Sequence, residues 1–355
     1  MKTVDIVTYC EWNSYGSILQ AWALKHFLTS AGCDVNHIRL NTISSETVKL
    51  YFKGKNLKNL LINADRFFNR KNLQRRFDLT TQFFSENFNF IKYKDYEQLK
   101  NSPPIADAYI AGSDQIWNPN SMTPFFYLDF VSEATKKISY AASMGVSKIP
   151  EHRKNDWYNA VRSFQYVSVR ENEVKQIIQS EIDKDVCVHI DPTFLVDKDD
   201  WRAIEKPYSI KQPYILVYAL YWDKKFNTQL KELHKKTGLP IIAISSQLQQ
   251  VYSQRKLYDV SVQEFLWLFD NASYIVTSSF HGVAFSIIFE KKFSVVINPQ
   301  KPSRLNAVLD TFEIENIAIE HLHDNNGHDY KKVREIILNE REKSDEYLRR
   351  GISLK

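Results

Sequence analysis

The chain has 355 residues, 43% of them hydrophobic and 14% aromatic, which is enough to build the cores of two domains and excludes a disordered or low-complexity protein. Its net charge of +5 is concentrated in residues 51–80, which contain eight basic and two acidic side chains and so carry a charge of +6. The rest of the chain sums to −1. We therefore expect no nucleic-acid partner, since that would require basic side chains on several elements.

The first half of the chain alternates between apolar strands and helices. A strand is predicted at Val4–Tyr9, a helix at Ser17–Ser30 and a second strand at Val35–Leu40. Such alternation is typical of a parallel sheet covered by helices on both faces. Further strands are predicted at residues 107–111, 138–142 and 166–169. Together they define an N-terminal α/β domain at residues 1–205, with a basic helical segment inserted at about residues 46–100.

The second half repeats this alternation. Strands are predicted at residues 214–220, 240–245, 274–277 and 293–297, and helices at residues 224–236, 262–271, 283–289 and 304–312. They define a second α/β domain at residues 206–328, and a charged helix within residues 329–355 packs on the body through a narrow apolar stripe. From this alternation we predict an α/β fold of two Rossmann-like parallel-sheet domains facing a cleft. Open α/β sheets bind ligands in such clefts, so we expect the functional site there.

The expected compartment follows from features that the sequence lacks. No apolar stretch of signal-peptide length stands at the N-terminus, and the longest apolar run, Tyr214–Trp222, is about half of the ~20 residues that a membrane span needs. Cys10, Cys33 and Cys187 show neither disulfide nor zinc-ligand spacing. We expect a cytoplasmic protein without a metal site.

Two loops of the first domain carry polar groups that a fold alone does not require. The Asn13–Ser17 loop precedes a helix, whose free N–H groups would suit an anion or a sugar hydroxyl; the alternative is a strand-to-helix turn with a Ser17 cap. In the Gly112–Pro119 loop, Asp114 could orient a sugar hydroxyl or accept its proton. The alternative there is an Asx-type turn with Trp117 in the core.

Two later loops carry cationic or protonatable groups. Arg170 ends a strand with a planar guanidinium suited to carboxylate or phosphate, although a surface ion pair with Glu173 is the simpler interpretation. The Thr277–Gly282 segment places His281 at the start of a buried helix, which combines an anion site with a proton donor. The alternative is a capping serine beside a structural histidine.

Taken together, the loops resemble the polysaccharide pyruvyl transferase family. The matching segments are Asn13–Ala21, Gly112–Pro119, Ser168–Glu171, Asp191–Phe194 and Ser279–Gly282, in the family's order and within about residues 3–312. The sequence departs from the family at Ser278 and Val283, where many members carry Asp and a small hydroxyl residue.

This resemblance implies a GT-B-like fold and a ketal-forming reaction. Pyruvate would pass from phosphoenolpyruvate, the co-substrate, to two hydroxyls of a sugar in a cell-surface polysaccharide or its lipid-linked precursor, with no cofactor. The first domain would bind the sugar or glycolipid acceptor and the second the donor. The implied catalytic residues are His281 as acid and Asp114 as base, the donor-binding residues are Arg170, Ser278, Ser279, Gly282 and Arg304, and the acceptor-binding residues are Asn13, Tyr15, Gly16, Gln115 and Trp117.

Two other interpretations stay open from the sequence. A GT-B-type glycosyltransferase with a nucleotide-sugar donor would have the same fold. The basic segment at residues 51–80, including Arg75 and Arg76, is either a solvated surface or a surface for peripheral contact with the inner membrane face.

Overall fold

The computed structural model describes residues 1–41, 57–211, 213–245, 251–299, 303–324 and 327–354, without the side chains of residues 57–62 and 303. Contacts within the chain divide it into two units. Unit 1 contains residues 1–45, 85–196 and 335–355, and unit 2 contains residues 46–84 and 197–334.

Unit 1 is built on a five-stranded parallel sheet in the order β3-β2-β1-β4-β5. Its central strand β1 has Val4, Ile6 and Val7 completely buried, as expected for a sheet covered on both faces. Two further parallel strands, β6 and β7, pair with each other, and isolated bridges such as Ile138–Tyr166 connect the β6 end of this pair to β5. The strands are β1 (Lys2–Val7), β2 (Cys33–Leu40), β3 (Phe90–Tyr93), β4 (Ala108–Ala111), β5 (Lys136–Ser139), β6 (Val167–Val169) and β7 (Val186–Val188).

Unit 2 is built on a second five-stranded parallel sheet, in the order β10-β9-β8-β11-β12. Its strands are β8 (Ile215–Tyr218), β9 (Ile241–Ile244), β10 (Arg255–Leu257), β11 (Tyr274–Thr277) and β12 (Phe293–Val295). Numbered along the chain, the strands of each sheet follow the same order, third-second-first-fourth-fifth. Two sheets of this kind are what the alternating pattern predicts.

Helices connect the strands. The bounds are α1 (Tyr15–Ser30), α2 (Leu57–Phe68), α3 (Arg70–Asn87), α4 (Tyr96–Asn101), α5 (Lys154–Arg162), α6 (Asn172–Gln179), α7 (Lys198–Ala203), α8 (Lys224–Thr237), α9 (Val262–Asp270), α10 (Phe280–Ile288), α11 (Ser303–Thr311) and α12 (Tyr330–Ile352). Ordinary sequence signals set several ends: Asp223 accepts a hydrogen bond from Phe226 N at the start of α8, and Gly238 ends that helix at φ +69°.

The predicted inserted helical segment is only partly right. Residues 46–56 lie outside the described residues, and α2 and α3 are helical as expected, but the helices end at Asn87. The chain then forms β3, which pairs with β2 from His37–Phe90 to Leu40–Tyr93. Four residues give too short a pattern to identify a strand, and pairing with β2 decides its conformation.

The contacts also group the chain differently from the expected division at residue 205. The break between the units falls at Val196–Asp197. Helix α2 and most of α3 belong to unit 2. Arg75 of α3 shows why, because its guanidinium binds both carboxylate oxygens of Glu264 in α9, at 2.7 and 3.1 Å. The terminal helix α12 contributes its residues from Glu335 onward to unit 1.

Candidate functional site

Each sheet has a point where its strand order changes direction, and the predicted site loops follow the strands at those points. In unit 1 the point lies between β1 and β4, and in unit 2 between β8 and β11. Loops after such strands diverge to opposite faces of the sheet and leave a crevice between them, where open α/β sheets bind ligands. The Asn13 and Asp114 loops follow β1 and β4, and the His281 loop follows β11.

The crevice of unit 1 is a cavity of about 250 Å³ between the loops after β1 and β4. Of the predicted site residues, Asn13, Asp114 and Gln115 line it. Among the described residues that line this cavity there are two carboxylates and neither Lys nor Arg. A polar, acidic cavity of this kind suits hydroxyl groups better than an anion. Its lining residues are Tyr9, Glu11, Asn13, Ser14, Ser17, Asp114, Gln115, Asn118 and Ser121.

Burial and charge act on the acidic groups at this cavity. Burial raises the pKa of Glu11, partly offset by the positive charge of Arg39. The pKa of Tyr9 is raised, first by burial and then by the negative charges of Asp114 and Glu11. Tyr9 therefore lies within electrostatic range of each of the two carboxylates.

Asp114 occupies a strained turn at the end of β4. Its φ is +71°, in the left-handed region that Asp tolerates better than most residues. One carboxylate oxygen accepts the backbone N–H of Gln115 at 2.9 Å, and the carbonyl accepts Ser143 N at 3.0 Å. The turn therefore holds the carboxylate of Asp114 in a fixed position at the cavity.

A buried glutamine holds the opposite wall. The Gln20 side-chain amide donates to Thr8 Oγ1, to Tyr9 O and to Ser17 O, each at 3.0 Å. Thr8 Oγ1 in turn donates to Ser113 O at 2.9 Å, which joins the loops after β1 and β4. The matching segment Asn13–Ala21 therefore includes a residue that fixes both loops.

Arg170 lies at the centre of a buried ion cluster and not in a surface pair with Glu173, so the simpler interpretation is wrong. Its side chain is 3% exposed, with Nη1 2.8 Å from Asp191 Oδ2 and Nε 3.2 Å from Glu171 Oε1. Burial opposes the charge of Arg170, but Glu171 and Asp191 outweigh it and raise its pKa. Asp191 Oδ2 also accepts Ser113 Oγ at 2.9 Å. Three of the matching segments are therefore joined by one cluster next to Asp114.

Three of the predicted acceptor residues do not line the cavity. Tyr15 and Gly16 are buried in the first turn of α1, where Ser14, and not Ser17, accepts the hydrogen bond of the cap. Trp117 is completely buried. Its ring stacks on Tyr127 at an interplanar angle of 3° and meets the edge of Phe164, so the side chain belongs to the core of unit 1.

In unit 2, Ser278 and Gly282 hold the backbone at the crevice. The Ser278 hydroxyl accepts Leu220 N and Tyr221 N, both at 2.8 Å, and thereby fixes the loop after β8. A Cβ on Gly282 would lie 2.0 Å from Thr277 Oγ1. Since that hydroxyl donates to Tyr218 O at 2.6 Å, it has no room to move, and glycine allows α10 to begin directly against β11.

The same turn places the Phe280 ring next to both His281 and Arg304. Helix α10 begins at Phe280, three residues earlier than predicted, so His281 lies in its first turn, 7% exposed. The Phe280 ring meets the His281 ring edge-on at 5.2 Å, and the Arg304 guanidinium lies 5.7 Å from the centre of the Phe280 ring. The first turn of α10 contains no acidic residue, and Ser279 does not cap it through its side chain. The positive end of the α10 dipole and the charge of Arg304 both favour binding of an anion at the start of this helix.

Sequence reasoning missed three residues of the unit 1 cavity that lie outside the two quoted loops: Tyr9, Glu11 and Ser121. A usable signal existed for the first two, because they directly follow the strand β1, as the predicted residues follow β4. In the part of the chain that the structure describes, no helix is both long and apolar enough to cross a membrane.

Comparisons with solved structures identify the fold. UDP-GlcNAc 2-epimerase from Neisseria meningitidis, bound to UDP-GlcNAc, is 12% identical with a TM-score of 0.52, over 99% of this chain and 94% of that one. The UDP-GlcNAc 2-epimerase of Methanocaldococcus jannaschii is 11% identical with a TM-score of 0.51, over 95% and 91%. S. aureus MnaA with UDP is 11% identical with a TM-score of 0.51, over 100% and 98%. These likenesses confirm the predicted GT-B-like α/β fold.

Sequence comparisons identify the family. A search of curated protein sequences finds no significant match. The family model of polysaccharide pyruvyl transferase matches residues 15–299, which include all five segments quoted above except Asn13 and Ser14. Because that match spans most of the chain, the protein belongs to the polysaccharide pyruvyl transferase family.

Proposed function

We propose that the protein transfers pyruvate from phosphoenolpyruvate to two hydroxyls of a sugar in a cell-surface polysaccharide or its lipid-linked precursor. The observation that carries this proposal is the difference in charge between the two crevices. Glu11 and Asp114 line the cavity of unit 1, whereas His281 and Arg304 lie at helix starts in unit 2. Phosphoenolpyruvate carries a phosphate and a carboxylate, so we assign the donor to unit 2 and the sugar to unit 1.

The chemistry needs an acid, a base and an anion site. Asp114 takes the proton of the first sugar hydroxyl, whose oxygen bonds to the central carbon of phosphoenolpyruvate, while His281 protonates the methylene carbon and makes it a methyl group. The second hydroxyl oxygen then bonds to the same carbon as the C–O bond to phosphate breaks, and the departing inorganic phosphate takes the proton of that hydroxyl, which closes the ketal. Arg304 and the first turn of α10 hold the phosphate or the carboxylate.

Arg170 has a different role in this proposal from the one expected. Its Nε and Nη1 already bind Glu171 and Asp191, so we assign it to positioning the Asp114 turn. Trp117, Tyr15 and Gly16 support the acceptor cavity from within the core.

The first test measures ligand binding by calorimetry and by the shift in the temperature of thermal unfolding. We expect phosphoenolpyruvate to raise the melting temperature of the wild-type protein and of Asp114→Asn, and to have no such effect on Arg304→Met. Arg255→Met is the matched control, because Arg255 also lies over an aromatic ring, that of Tyr208 at 5.5 Å. A shift with UDP-GlcNAc and none with phosphoenolpyruvate would instead support a nucleotide-sugar glycosyltransferase.

Turnover is tested by release of inorganic phosphate from phosphoenolpyruvate in the presence of envelope saccharides. We expect Asp114→Asn and His281→Gln each to lower the rate by ~10²–10⁴. In deuterated water the methyl group of the product should carry deuterium, because His281 supplies solvent-derived hydrogen to that carbon. Equal rates for wild-type protein and His281→Gln would contradict the assignment of the acid.

A further inference from the structure

The corner between α2 and α3 exposes two neighbouring phenylalanines. Phe67 is 48% and Phe68 80% exposed. Among the described residues six large hydrophobic side chains are exposed, and these two are the only aromatic ones and the only sequence neighbours. Single exposed apolar side chains are ordinary on a protein surface, whereas an adjacent aromatic pair marks an interaction site.

Contacts within unit 2 hold this corner in place. The two phenyl rings meet edge-on at 5.9 Å, and Asn69, between the helices, donates its side-chain amide to Asp65 O at 2.9 Å. The Tyr258 hydroxyl donates to Asp65 Oδ1 at 3.1 Å. The phenylalanines are therefore presented by a fixed helix–helix corner and not by a frayed end.

Basic side chains surround the pair. The Arg70 guanidinium lies 4.5 Å from the centre of the Phe67 ring, Lys71 is exposed next to it, and Arg66 lies in the last turn of α2. The one acidic residue of the corner, Asp65, is engaged by Tyr258 and Asn69. The corner, defined as residues 65–71, thus carries three cations and one anion.

The structure argues against membrane contact by Arg75 and Arg76, which the sequence suggested, because one is paired with a carboxylate and the other is buried. Arg75 binds Glu264, and Arg76 is 1% exposed. Lys53 and Lys55 lie outside the described residues. Within the described part of the basic segment, the cations that flank exposed apolar side chains are those of the corner.

We propose that the corner at residues 65–71 binds the surface of an anionic lipid bilayer. Phe67 and Phe68 would enter the boundary between headgroups and acyl chains, and the exposed side chains of Arg70 and Lys71 would contact the lipid phosphates. This combination of aromatic and basic groups matches the two layers of such a surface. A second copy of the chain fits less well, because it would bring the same three cations against each other.

The experiment is sedimentation of the full chain with vesicles of phosphatidylcholine alone or mixed with phosphatidylglycerol. We expect binding to the mixed vesicles only, weakened by salt. Phe67→Ser/Phe68→Ser should reduce the binding constant by about tenfold or more. Arg70→Glu/Lys71→Glu should reduce it by at least about 25-fold, since the loss of each cation near the surface costs about fivefold and the two new carboxylates are repelled by the anionic lipid.

Matched controls show whether binding depends on this corner or only on the total charge and exposed apolar surface of the protein. Lys224→Glu/Lys225→Glu makes the same change in charge at exposed residues of α8, and Ile105→Ser removes another exposed apolar side chain; both should bind like the wild-type protein. Binding of the Phe67→Ser/Phe68→Ser variant equal to wild type would overturn the proposal, as would a wild-type dimer that this variant converts to monomer without any vesicle binding. Vesicle binding requires neither phosphoenolpyruvate nor a sugar, so this result is independent of the proposed reaction.

Discussion

At the scale of single residues, the close approach of Gly282 to Thr277 is the tightest constraint at the unit 2 crevice. We expect Gly282→Ala to destabilise the protein by about 1–3 kcal/mol, because the new methyl group collides with a hydroxyl that is hydrogen-bonded to Tyr218 O. Urea unfolding measures the change.

A double-mutant cycle tests the cause of that loss. In the Thr277→Ala background the hydroxyl is gone, so Gly282→Ala should cost less than it does in the wild-type background. The same cost in both backgrounds would show that the contact with Thr277 Oγ1 is not responsible.

Glu205 should make the stability of the protein depend on pH. Burial raises the pKa of Glu205 to about 7, the negative charge of Asp270 adds to this, and Arg202 and Lys291 oppose it. The folded protein therefore holds a proton that the unfolded chain releases above its ordinary pKa of 4.5, and the resulting stabilisation declines from that pH and is lost as the pH rises through 7. Glu205→Gln mimics the protonated form, so it should leave the protein unchanged in acid and stabilise it above pH 7. We expect a gain of about 1–2 kcal/mol there, because solvent screens part of the charge of this half-buried carboxylate.

Urea midpoints of wild-type protein and Glu205→Gln on both sides of pH 7 measure this difference. Glu232→Gln, at an exposed position on α8, controls for the loss of one negative charge. A stabilisation by Glu205→Gln that is the same at both pH values would rule out titration of this carboxyl as the cause.

At the scale of elements, the Arg75–Glu264 pair links α3 to the start of α9. Glu264 also completes a capping box, accepting Ser261 N at 2.8 Å. Because the Arg75 side chain is 44% exposed, we expect Arg75→Met to cost only about 0.2–1 kcal/mol overall. Hydrogen exchange should nevertheless become faster in α3, which loses its tie to α9.

The control for this prediction is another arginine with the same exposure. Arg202, also 44% exposed, pairs with Asp270 at 2.8 Å, so Arg202→Met removes an equal charge and a similar pair. Exchange in α3 should be unaffected by it. Faster exchange in α3 with both variants would mean that loss of charge, and not the tie to α9, controls that helix.

How far the sequence predicts the elements depends on their length and surroundings. β11 was predicted with its exact bounds, because an apolar run stands between clear turn residues. β3, β7 and β10 were missed: each has three or four residues and is held by its neighbour in the sheet. The helix at His281 began earlier than predicted because Ser279 and Phe280 resemble loop residues until their tertiary packing is known.

The candidate site shows the same division. Asn13, Asp114 and Gln115 were predicted from their place after strands, and they line one cavity. The pairing of Arg170 with Asp191 was not predictable, because Asp191 stands 21 residues further along the chain and comes near only through the pairing of β6 with β7. The burial of Trp117 likewise depends on rings from distant segments, such as Phe164.

At the scale of the whole molecule, the chain builds two sheets with the same strand order and gives their crevices opposite charge. In the first, buried side chains such as Gln20 and Arg170 fix the loops that carry carboxylates. In the second, Ser278 and Thr277 fix the loops beside an imidazole and a guanidinium. Similar scaffolds therefore present different chemistry, and the difference comes from a few residues after β1, β4, β11 and β12.

The last helix, α12, packs on unit 1, so a substitution near the end of the chain should loosen strands of unit 1 that lie far away in the sequence. Tyr347 of α12 is 4% exposed, donates its hydroxyl to Ser139 O at 2.9 Å and packs on His189 with ring centres 4.6 Å apart. We expect Tyr347→Ala to cost about 3–5 kcal/mol and Tyr347→Phe, which loses only the hydrogen bond, about 1 kcal/mol. Hydrogen exchange should become faster in β5 and β6, and the strands β8, β9 and β11 should keep their protection.

Leu338, 57% exposed on the same helix, provides the matched control, and Leu338→Ala should leave exchange unchanged in both units. The distinction depends on each unit having a core of its own, since a cavity beneath Tyr347 loosens only the side chains packed around it. An equal loss of protection in both sheets after Tyr347→Ala would show instead that the two units unfold as one cooperative body.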